Sequence, residues 1–113
     1  NIQEIKKNVI WLNLTDCKLN DDHLSYLSDF PNLTRLKIQK NPPVTNKGIE
    51  ALQNLENLSE LNLYGTRVSN AALMTLGQMQ SLKKLFLWNT RITPKAIADF
   101  KAQHPDIEVV AGL

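Results

Sequence analysis

The sequence predicts an α/β solenoid, a right-handed β-α superhelix with a parallel sheet on its concave side and helices on its convex side. Three observations predict it. One apolar pattern recurs four times, with starts at Val9, Leu33, Leu58 and Leu82 that lie 24, 25 and 24 residues apart. Within each copy, a Leu-x-Leu or Leu-x-Ile segment has the period of a strand, and the later apolar residues fall three apart, as on a helix face. Between the two halves stands a residue type suited to open a helix.

Taken in order, residues 1–8 read as the back half of an earlier unit, because Ile2 and Ile5 hold the places of Leu27 and Phe30 in the first full copy. The chain therefore reads as part of a longer protein with sequence upstream. Unit 9–32 carries Val9, Leu12, Leu14 and Cys17, then Leu19, Leu24, Leu27 and Phe30. Unit 33–57 repeats this with Leu33, Leu36, Ile38 and Asn41, its extra residue falling at Pro42-Pro43. Units 58–81 and 82–106 follow, and residues 107–113 form a terminal strand in which Ile107 and Val110 are expected to point inward. All belong to one domain, 1–113.

Each helix has its start signal: Asn20, Thr45, Ser69 and Thr93 can accept hydrogen bonds from free first-turn amides. Pro94 takes the first helical position, where a missing N–H costs nothing. Asp21 and Asp22 fall in a first turn, where the helix dipole favours carboxylates.

Stacked units bury their apolar edges against one another, so four full copies suffice without a single globular core. Thirteen Lys and Arg against eleven Asp and Glu form no basic block, which argues against a nucleic-acid footprint. A lone cysteine allows no internal disulfide. No apolar run approaches the roughly eighteen residues of a membrane span, so direct membrane insertion is not expected. The chain begins without Met or a signal sequence.

Because side chains alternate across a strand, the residues between the core leucines should line the open face in three rows. The first holds Trp11, Arg35, Glu60, Lys84 and Val109; the second Asn13, Lys37, Asn62, Phe86 and Ala111; the third Thr15, Gln39, Tyr64, Trp88 and Leu113. Tyr64, Phe86 and Trp88 should touch, and this aromatic set is the feature that the repeat itself does not require. Large rings on a polar surface are favoured interface anchors. Arg35, Glu60 and Lys84 alternate in sign, as in an ion ladder, and Arg35 could lie over the Trp11 ring.

Other candidates are weaker. Cys17 shares its slot with Asn41, Thr66 and Thr90, so it is expected to point inward, bond loop backbone and be inert rather than nucleophilic. His23 and His104 are several units apart, lack metal-ligand spacing, and read as surface histidines. No serine elbow, phosphate loop or paired catalytic carboxylate can be assembled, so no enzyme, metal or cofactor is expected. The Asn-x-Ser/Thr triplets at Asn13, Asn32 and Asn57 arise largely from the repeat, and no glycosylation is inferred.

These leucine offsets resemble leucine-rich repeat proteins over essentially the whole chain. The strings Thr66-Arg67-Val68-Ser69 and Thr90-Arg91-Ile92-Thr93 are similar to bacterial, ribonuclease-inhibitor-like repeats. The ending, Leu85-Phe86-Leu87-Trp88-Asn89-Thr90 followed by Pro105 and Val109-Val110-Ala111-Gly112, is similar to repeats that follow c-type cytochrome domains in bacterial envelope proteins. That resemblance implies an extracytoplasmic, periplasmic or envelope module attached to a haem-containing domain. With no Cys-x-x-Cys-His, this segment itself attaches no haem. A second resemblance, to the cysteine-containing repeats of F-box adaptors, rests on Cys17 and the Asp21-Asp22 region.

The functional expectation is a non-catalytic protein-interaction module. Its concave face, with Tyr64, Phe86, Trp88, Trp11, Arg35, Lys37, Glu60 and Lys84, would bind a partner protein or a neighbouring domain of the same chain. A carbohydrate-binding module, whose rings would stack on sugars, and an F-box-type adaptor fragment are the alternatives.

Overall fold

The computed structural model describes residues 2–112, with side chains from Glu4 onward. Five three-residue strands, β1 (Trp11–Asn13), β2 (Arg35–Lys37), β3 (Glu60–Asn62), β4 (Lys84–Phe86) and β5 (Glu108–Val110), form one parallel sheet in chain order. Helices α1 (Ile2–Asn8), α2 (Asp21–Leu24), α3 (Asn46–Ala51), α4 (Ala72–Gly77) and α5 (Pro94–Gln103) precede, connect and follow the first four strands. Short 3-10 turns, Ser25–Asp29 and Leu52–Asn54, extend α2 and α3.

The leucine period sets the register of the first four strands. Trp11, Arg35, Glu60 and Lys84 align across the sheet, and so do Leu12, Leu36, Leu61 and Leu85. On the inner face, Leu36, Leu61 and Leu85 join Ile38, Leu63 and Leu87 and meet Leu24, Ile49, Leu52 and Leu76 from the helices, all fully buried. Burial of each such side chain contributes about 2 kcal/mol. Leu12 of β1, the first strand of the sheet, and Leu14 just after it are only half-buried. Ile5 of α1 is 63% exposed, so the back-half packing expected of it is not made; Ile2 lies outside the described side chains.

After its third outward residue, each unit leaves the sheet through a left-handed position, at Asp16, Lys40, Gly65 and Asn89. At Gly65 a Cβ would stand 3.2 Å from the Lys40 backbone, so glycine serves both the positive φ and the close approach. The next slot then turns inward. Asn41 is buried, its Oδ1 accepting from the N–H groups of Cys17 and Leu19 at 3.0 Å, while its Nδ2 donates to the carbonyls of Leu14 and Ile38. Thr66 and Thr90 donate to Leu63 and Leu87 carbonyls from the same slot.

Cys17 departs from this pattern. Its thiol is exposed and donates at 3.3 Å to the Thr15 carbonyl of its own loop, so it is not the inward, buried group expected from its slot. The reason is positional. Asn41 is enclosed because it reaches back to the loop of the preceding unit, and β1 has no strand before it in the sheet.

Two further expectations are corrected. In β5, Glu108 pairs with Lys84, Val109 with Leu85 and Val110 with Phe86. Val109 therefore faces the core and Val110 the open face, the reverse of the sequence reading, because one residue fewer separates Ile107 from its strand than separates Leu82 from β4. A one-residue slip exchanges the faces. Ala111 accordingly leaves the second row to Val110, and Leu113 lies outside the described residues.

Ser69 does not cap α4, which begins at Ala72 after Ala71 with no side-chain cap. Its hydroxyl and N–H are instead engaged by the Asn46 side chain of the previous unit. Asn20, Thr45 and Thr93 do cap their helices, and Pro94 opens α5.

Candidate partner-binding face

Alternation along each strand turns three rows of side chains away from the helices, and β3 and β4 give this face its apolar centre. The Tyr64 and Trp88 rings, one from each of two adjacent units, pack with centroids 5.0 Å apart and planes at 50°. Such a pair contributes roughly 0.5–1.5 kcal/mol beyond its buried area. Trp88 nevertheless remains 41% exposed. With Phe86, Val110, Gly112, Gln39, Lys40 and Asn62, the two rings line an open groove of about 420 Å³.

Two of the polar groups around it, Asn62 and Gln39, are held by bonds to their neighbours. Asn62 accepts from the Tyr64 N–H at 3.0 Å and donates to Gln39 at 2.6 Å, which holds the floor beside the rings. Lys84 lies with its ammonium 5.2 Å from the Phe86 ring centre and 3.4 Å from Glu108. Thus Lys84 pairs with β5, while Glu60 lies 3.9 Å from Arg35 on the other side. The slip in β5 brought Glu108 to this row, where sequence alone had placed Val109.

Trp11, Arg35 and Lys37 gather separately. The Arg35 guanidinium stands 4.3 Å from the centre of the Trp11 ring, and Trp11 is 62% exposed beside a shallow pocket of about 270 Å³. At about 4.8 Å per strand, β1 lies roughly 15 Å from β4. The eight expected face residues therefore divide into the aromatic groove, where Lys84 lies over Phe86, and a group of Trp11, Arg35 and Lys37 on β1 and β2, with Glu60 beside Arg35 between the two.

The sequence did not disclose a second groove, of about 440 Å³, between α4 and α5, where Leu73, Met74, Ala96, Phe100 and His104 converge. Its one sequence signal is Met74, a large apolar residue that is 76% exposed. His104 stacks on Phe100 at 4.6 Å and lies where a side chain on Gly77 would stand. His23 instead completes a capping box, its Nδ1 accepting from the Asn20 N–H at 3.0 Å. Among the described residues, no cluster of three or more His, Cys, Asp or Glu could hold a metal ion, and no helix is long and apolar enough to cross a membrane. The amides of Asn32 and Asn57 donate to the carbonyls of Lys7 and Pro31 in the preceding units, which accounts structurally for two of the three acceptor-like triplets.

No family model matches the chain, and no curated protein sequence does either. Solved structures do. A chain of the Chaetomium Mex67:Mtr2 subunits superimposes with a TM-score of 0.71 at 15% identity, over 98% of this chain and 82% of that one. An internalin (inlF) from Listeria monocytogenes, a leucine-rich repeat protein, superimposes with a TM-score of 0.55 at 20% identity, over 100% of this chain. This chain spans 38% of the internalin's length. At these identities the likeness is one of fold. Neither match supports the cytochrome association suggested by the chain's ending.

Proposed function

We propose that the chain is a leucine-rich repeat solenoid that serves as a non-catalytic protein-interaction module, docking a partner or a neighbouring domain on its concave sheet face. The observation that carries this reading is the Tyr64–Trp88 pair, packed ring on ring just past the ends of β3 and β4, with Trp88 left 41% exposed beside Phe86. Rings fixed by their neighbours lose little rotamer freedom on binding and bury much area, which is what interface anchors require. The two rings meet at 50° and do not form one flat platform for a sugar ring, while the groove they line with Phe86 and Val110 offers a place for an apolar side chain. The structural likeness to an internalin is consistent with this use.

The test selects short random peptides on the native chain and titrates the best binders against native protein and the double variant Tyr64→Ala/Trp88→Ala. A loss of about thirty-fold or more, the equivalent of roughly 2 kcal/mol, is expected with the thermal transition retained. Equal affinity for the two proteins would contradict the assignment.

A further inference from the structure

Charge is unevenly distributed about the sheet. The open face and the loops that follow the strands carry two neutralised pairs, Arg35–Glu60 and Lys84–Glu108. They also carry Lys18, Lys37, Lys40, Arg67 and Arg91, each exposed and none in an ion pair with a described residue. Only Asp16 opposes these five. Elsewhere on the chain, six cations face eight anions, so the near-neutral whole conceals a positive face and a negative remainder. Lys40 lines the aromatic groove directly, and Lys37 stands in the same row as Phe86, with Asn62 between them.

We propose that the occupant of the groove is an acidic peptide segment. It lays one apolar side chain against Tyr64, Phe86 and Trp88 in the groove and sets carboxylates against Lys40 on its rim and Lys37 two strands along. This rests on the reading of the open face as a contact surface and adds the chemistry of what binds there. Lys40 on the rim of the apolar groove and Lys37 along the same row complement a segment that carries carboxylates next to an apolar anchor, and such complementarity sets both partner choice and encounter rate. A polyphosphate chain fits less well, because Glu60, Glu108 and Asp16 stand along the same surface and would repel a continuous line of phosphates.

The probe is a library of short random peptides displayed on phage and panned at low salt on three proteins: the native chain, Lys37→Glu/Lys40→Glu and Tyr64→Ala/Trp88→Ala. Thermal melting confirms that each is folded. The native chain should enrich peptides in which Asp or Glu flank a single Leu, Phe or Trp. Their affinity should fall roughly tenfold or more in the charge-reversed protein, and should weaken as salt shortens the screening length to below about 10 Å. Enrichment of neutral or basic peptides that still need Tyr64 and Trp88 overturns the acidic occupant and leaves the contact face standing. Peptides indifferent to Tyr64 and Trp88, or no enrichment over bare support, overturn both. Tighter binding of single-stranded oligothymidylate than of any enriched peptide overturns the acidic-peptide inference in favour of nucleic acid.

Discussion

Asp21 and Thr45, first-turn and cap residues of successive helices, are joined twice: the Thr45 N–H donates to Asp21 Oδ1 at 2.7 Å, and the Thr45 hydroxyl donates to Oδ2. The same link recurs one and two units on, where Asn46 grips Ser69 and Asn70 grips Thr93. It stops at Pro94, which has no side-chain donor or acceptor to pass on. A polar ladder thus ties together the segments that lead into successive helices.

Gly48 makes room for the first rung. A Cβ there would come within 2.5 Å of Asp21 Oδ1 and 2.7 Å of Leu24 Cδ1. Ala is the better helix former by about 1 kcal/mol, yet Gly48→Ala should destabilise the chain by roughly 1–3 kcal/mol through overpacking. Urea denaturation would measure it, and a stabilised variant would show that the rung can move aside freely.

Asn41 carries the most concentrated set of bonds between units. Asn41→Ala removes one acceptor and one donor group, stranding the Cys17 and Leu19 N–H groups and the Leu14 carbonyl in a half-buried loop. A loss of about 2–4 kcal/mol in unfolding free energy is expected, with an unchanged denaturant slope. Thr90→Ala, at the same slot with fewer bonds, should cost about 1 kcal/mol.

Cys17 should behave as a surface thiol. Ellman's reagent is expected to titrate it completely in the folded protein, at a rate little changed by mild denaturant. Reaction only on unfolding would place the sulfur inside, as its slot in the repeat first suggested.

The sequence carried the fold as far as its period carried information. Leu12, Leu36, Leu61 and Leu85 recur at spacings that set the first four strands in register, and the alternation then determined that Tyr64, Phe86 and Trp88 share a face. Where spacing changed or a neighbour was missing, the pattern misled. The shorter link after Ile107 inverted Val109 and Val110, and Cys17 lacked the preceding strand that would have enclosed it. Ser69 was misread because its bonds run to Asn46, 23 residues away, and such a partnership leaves no local signature. The groove between α4 and α5 left no trace beyond Met74, since it depends on how two separate helices settle against each other.

The most direct measurement is the change in backbone amide resonances of the uniformly labelled chain as a selected peptide is added. The largest shifts are expected at residues 37–40, 62–65 and 86–88, with the helices little affected. Shifts centred instead on Met74, Phe100 and His104, with Tyr64 and Trp88 silent, would contradict a binding face built on the sheet.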